Sequence, residues 1–172
     1  MTTQDILRQL ISGYHAVLEQ TVGDCGQETL DKNPANATIT NIGSIYMHLV
    51  VSEDDMLHGM LQGKPGIYRG QDWARRTGVE AAPMGQFPPE WARKVRLNLP
   101  LFREYAKVVY AATDAYIARL SDSDLPRKVQ TGFIGEQSVA FVIANILGWH
   151  IAEHTGEIAA LKGVQGLKGL PF

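Results

Sequence analysis

Four stretches of this chain carry apolar residues at helical spacing, and none carries a sustained strand alternation, which restricts the fold to packed helices. The first runs through Ile6, Leu7, Leu10, Ile11, Tyr14, Val17, Leu18 and Val22, a one-sided stripe. Thr2 or Thr3 serves as its N-cap, Asp5 complements its dipole, and Gly23 and Gly26 end it. The second starts at Thr40 or Asn41 and reaches about Leu61, with Ile42, Ile45, Tyr46, Leu49, Val50, Met56, Leu57, Met60 and Leu61 on its apolar side. A third begins at Pro88-Pro89-Glu90 and continues to Leu120, with a kink or break expected near Asn98 because Pro100 interrupts it. The fourth spans 137–161, followed by a coil tail marked by Gly163, Gly166 and Gly169. The expected architecture is all-α: a four-helix bundle in one domain over residues 1–172. Residues 62–88 form a long Gly- and Pro-rich connection between the second and third helices, with one short amphipathic piece at 71–76. It either crosses the length of the bundle or acts as a lid.

Composition removes several classes of function. Sixteen Lys and Arg against eighteen Asp and Glu give a net charge of -2, so no bulk electrostatic attraction to nucleic acid exists. A mean hydropathy of -0.11, with no apolar run of about 18 residues, argues against a membrane span. Cys25 is the single cysteine and cannot form an internal disulfide. The N-terminal residues lack the basic start and apolar core of a secretory signal, so the expected location is the cytoplasm.

Polar residues stand where the helical period demands apolar ones. At about 100° per residue, His150, His154 and Glu157 fall inside the inward stripe of the last helix, beside Ile146, Leu147, Ile151 and Ile158. Rings four residues apart stand one turn from each other on one face, so both can reach one metal ion. Two core histidines satisfied by hydrogen bonds would give the same pattern. A third ligand would have to come from His15, His48 or His58, and periodicity does not choose among them. It counts mildly against His48, which lies about 120° from the middle of its helix's stripe. Glu53 sits at the centre of that same stripe, where a carboxylate needs a partner: a structural ion pair with Arg or Lys, or a catalytic role. Asp54 and Asp55 are expected on a solvated face. Trp73, Arg75 and Arg76 lie in the long connection and offer an anionic substrate or cofactor a place to dock, although solvated surface charge is the simpler explanation, since Arg is mostly exposed.

Two segments extend this reading. Ile42-Gly43-Ser44-Ile45-Tyr46-Met47-His48, with Glu53 five residues on, and Trp149-His150-Ile151-Ala152-Glu153-His154-Thr155-Gly156-Glu157-Ile158 resemble the DinB-like superfamily of damage-inducible four-helix metalloproteins. The exit Ser121-Asp122-Ser123-Asp124-Leu125 and the tail 161–172 are similar to that family as well. The resemblance implies a bundle with one long crossover between helices two and three, often a homodimer. It also implies a divalent metal held by one histidine of helix two and the paired histidines of helix four, here His48, His150 and His154. Glu157 departs from the glutamine common in the family.

Three neutral imidazoles would leave the metal positively charged with a coordination position free, the arrangement of catalytic zinc; nickel and iron suit the same ligands. Family members include thiol-dependent S-transferases, an isomerase using low-molecular-weight thiols, and amide-hydrolase-like proteins. The expected function is therefore a metal-dependent enzyme that activates a low-molecular-weight thiol or a water against a small-molecule substrate. Glu53 and Glu157 are the candidate catalytic residues for proton transfer. The alternative is a non-catalytic, stress-related bundle that binds a metal or ligand.

Overall fold

The computed structural model describes residues 1–132 and 134–172. Helix α1, Thr3–Gly23, opens on a reciprocal cap in which the Asp5 N–H donates to Thr2 Oγ1 (3.1 Å) and the Thr2 N–H donates to the Asp5 carboxylate (2.8 Å). A short α2, Gln27–Asp31, precedes α3, Ile42–Asp54, whose first turn is capped by the Asn41 side chain accepting from the Ser44 N–H. The same rod continues through a π-helical turn, Asp55–Met60, so the second long helix ends where its apolar period ends.

The connection over 62–88 contains α4, Ile67–Gly70, and α5, Trp73–Thr77. It is fastened to the long helices by the two aspartates expected on a solvated face, which are both buried. Asp54 accepts the N–H groups of Ile67 (2.9 Å) and Tyr68 (2.8 Å) and the Tyr105 hydroxyl (2.8 Å). Asp55 pairs with Arg69 at 2.9 Å. Such buried carboxylates are tolerable because their oxygens are bonded to donors. The approach requires glycine at 66: a Cβ there would lie 2.9 Å from Asp55 Oδ1. Short α6, Pro89–Ala92, is separated from α7, Leu99–Arg119, by the break expected near Asn98, which caps α7 and places Pro100 in its first turn.

The last rod comprises α8, Val139–Phe141, a π-helical turn, Val142–Leu147, and α9, Gly148–Val164. It begins two residues later than its periodicity suggests, because Gln137 and Ser138 belong to a strand. Strands β1, Lys128–Gln130, and β2, Glu136–Ser138, pair antiparallel with Val129 opposite Gln137. Three-residue strands are too short to display alternation in sequence, so the hairpin escapes a periodicity reading.

Helices α1 and α3 each pack on both α7 and α9. Leu18, Val22, Ile45, Leu49, Val109 and Ile151 are among the residues sealed in the shared core. His48 therefore faces His150 and His154 across the α3–α9 contact. No described helix is long and apolar enough to cross a membrane.

Candidate metal centre

His48 lies midway along α3, and His150 and His154 lie one turn apart near the start of α9. Each offers a ring nitrogen such that the three atoms fall within 4.8 Å of one another. His48 Nε2 and His150 Nε2 are 3.2 Å apart. Nitrogens bound to one ion at about 2.0–2.1 Å stand roughly 3.0–3.4 Å apart when the angle between the bonds is between square and tetrahedral, so this spacing fits shared ligation. The rings meet edge to face, with centroids 4.6 Å apart for His150 and His154 and 5.2 Å for His48 and His154.

The surroundings complete the fit. Glu157, one turn beyond His154, accepts the proton of His154 Nδ1 at 2.6 Å, which fixes that tautomer and leaves the Nε2 lone pair free to bind a cation. Ser52 Oγ stands 3.4 Å from His48 Nδ1, and Phe87 packs on the His48 ring at 4.6 Å. His150 Nδ1 is buried without a hydrogen-bond partner among the described residues. An orphaned ring nitrogen is costly in a core and is tolerated where chemistry needs the ring. Burial, and then repulsion from His154, lowers the His48 pKa to about 4. Burial, with His154 and His48 adding to it, lowers that of His150 to about 3. Both rings are thus neutral at neutral pH, the form that ligates a cation.

The remaining candidates lie elsewhere. Glu53 is fully buried, yet its carboxylate accepts from Thr113 Oγ1 (2.5 Å) and meets His15 Nε2 (2.8 Å). Its partner is a histidine, where Arg or Lys was expected, and its oxygens face that pair instead of the triad. His15 stacks on Tyr110 at 3.8 Å. His58 is bound to Asp54 through Nδ1 at 2.7 Å. Of the three candidates for third ligand, His48 alone joins the pair on α9. Arg75 is tied to Asp72, and Arg76 lies over the Trp73 ring at 3.7 Å with Glu104 as its ion-pair partner. Cys25 is buried, and that burial pushes its thiol pKa up, so it is a poor nucleophile.

Sequence reasoning missed Ser52 and Phe87. Ser52 was within reach, since it stands four residues after His48 on the same helix face. Phe87 carried no local signal, because the fold of the 62–88 connection brings it to the ring.

The model of the DinB superfamily matches residues 11–158, and the chain belongs to that superfamily. Among solved structures, the chain is similar to a conserved protein from Enterococcus faecalis, with a TM-score of 0.81 at 16% identity, covering 96% of this chain and 99% of that one. At that identity the likeness establishes the fold. No curated protein matches the sequence.

Proposed function

We propose that His48, His150 and His154 hold one divalent cation in a four-helix bundle of the DinB type, and that the protein is a metal-dependent enzyme of the thiol S-transferase kind. The supporting observation is the meeting of His48 Nε2 and His150 Nε2 at 3.2 Å with no anionic side chain between them. One N–H···N hydrogen bond would account for that pair alone; the convergence of a third ring nitrogen within 4.8 Å and the orphaned His150 Nδ1 are what a shared cation accounts for. Zinc, nickel and iron(II) all accept this donor set. When bound, the cation would supply a positive charge that deprotonates a thiol or a water near neutral pH.

The chain's own residues supply the rest. Burial holds His48 and His150 in the neutral form. Glu157 orients His154 by accepting its Nδ1–H, which leaves the Nε2 lone pair for the cation. Glu157 is therefore the positioning residue we assign to this centre. Glu53, bonded to His15 and Thr113, supports the helix that carries His48.

The test is elemental analysis of tag-free protein, followed by conjugation assays pairing low-molecular-weight thiols with electrophiles. One divalent ion per chain and turnover that disappears in His150→Ala are expected. Metal-loaded protein that conjugates no thiol would overturn the transferase reading. If chelation then lowers the melting temperature sharply without any turnover, the non-catalytic metal-binding role takes its place.

A further inference from the structure

Beside the histidines lies an open cleft of about 1140 Å³ with His48 and His150 in its wall. Ligand sites are commonly about 300–1000 Å³, so this space exceeds what a small thiol needs and leaves room for a second molecule. Four separate segments line it. The π-helical turn after α3 gives Met56 and Met60, the 62–88 connection gives Met84, the β1–β2 connection gives Ile134, and the last rod gives Ile146 and Trp149. Several are left in water: Trp149 is 63% and Met84 59% exposed. Large apolar side chains gathered around a concavity are a binding surface awaiting cover.

Charge narrows the occupant. Among the described residues no Lys or Arg lines the cleft, and the one carboxylate, Asp55, is already paired with Arg69. The arginines expected to attract an anion, Arg75 and Arg76, are not among the lining residues. Asn145 and Gln130 supply neutral hydrogen-bonding groups at the wall. A carboxylated or phosphorylated substrate would find no side-chain counter-ion along this wall, and a cation on the histidines could reach only a group placed directly against it. The methionines add an adaptable, polarizable surface.

We propose that this cleft binds an uncharged, predominantly apolar organic molecule as the substrate presented to the histidine centre. The proposal rests on the metal-site reading for its catalytic meaning but not for its binding. A concave wall built from four segments, with the histidines in it, suits a small molecule better than the flatter face of a second copy.

The test uses two probes that share one ring system: uncharged N-phenyl-1-naphthylamine and its anionic relative 1-anilinonaphthalene-8-sulfonate. Each is titrated by fluorescence into wild-type protein with and without zinc, with metal content and oligomeric state measured on the same samples. The neutral probe is expected to bind at least about tenfold more tightly than the sulfonate. Trp149→Glu and Met84→Lys are each expected to weaken the neutral probe by about tenfold, reflecting a charge placed in an apolar wall. His154→Ala, which alters the histidine triad without touching the cleft wall, is expected to lose zinc and keep the probe. Equal affinity for the two probes, or unchanged affinity in both charged variants, would overturn the proposal. So would a wild-type dimer that Trp149→Glu dissociates while no probe binds, which would make the cleft a subunit contact. A protein that binds the neutral probe but no zinc sinks the metal reading alone, whereas one that binds zinc but no probe sinks this inference alone.

Discussion

The chain holds histidines in two different kinds of place. His15 meets a buried carboxylate, stacks on Tyr110 and has its partner held in turn by Thr113. The Nε2 and the ring face of His15 are both partnered within the protein. His48 and His150 meet each other through their Nε2 atoms, and His150 buries its other nitrogen unpartnered. An imidazole beside an anion is a finished structural element, whereas three converging imidazoles with one nitrogen orphaned leave requirements that a cation would meet. Burial alone does not separate the two, since His15 is the most deeply buried of the histidines. The identity of the neighbour does.

That contrast can be broken by a double dissociation. The largest effect is expected at the finished site: Glu53→Ala strands His15 and Thr113 in the core and should cost about 3–5 kcal/mol in denaturant unfolding, while metal stoichiometry is unchanged. If Glu53→Ala abolished metal binding at full stability, the two places would not be distinct. Next comes the unfinished site, where His150→Ala or His154→Ala should weaken metal affinity by roughly 100-fold or more in competition with a chromophoric chelator. These variants should leave the metal-free fold about as stable as wild type. A smaller loss, about tenfold in affinity, is expected for Glu157→Ala, with Glu157→Gln restoring most of it because an amide oxygen also accepts the Nδ1 proton.

The most gradual effect is on pH. His48 and His150 have pKa values of about 4 and about 3 in the fold, below the 6.5 of an unperturbed imidazole. Between those values the unfolded chain binds protons that the folded one refuses. Metal-free protein should therefore hold its stability above pH 6.5 and lose it progressively as pH falls toward 3. Urea midpoints measured across that range check the sign, and His150→Ala should flatten the slope.

Much of this was legible in sequence, and the failures have physical causes. The long helices, the break at Asn98 and the His150–His154 pair all follow from local periodicity, capping and proline. The third ligand did not. The Ile42–Asp54 helix is buried on nearly every side, so its apolar stripe does not single out the face that meets α9, and the half-buried His48 falls outside that stripe. Asp54 and Asp55 were read as solvated because the residues that bury them, Ile67, Tyr68 and Arg69, sit in a connection with no regular period. Glu53 was correctly singled out as buried, but its partner lies 38 residues upstream, a pairing no local pattern reports.

The π-helical turns at 55–60 and 142–147 also bear on how such a chain can change over generations. Each is a place where the backbone accommodates one residue more than a regular helix would, so each is a natural point for single-codon loss. The two losses would not be equivalent. Shortening 142–147 would rotate everything downstream by about 100° and carry His150 and His154 together away from His48, which extinguishes the centre in one event. Shortening 55–60 would leave His48 where it is and turn only the side chains that follow it, so the wall beside the histidines can be recast while the three rings stay together.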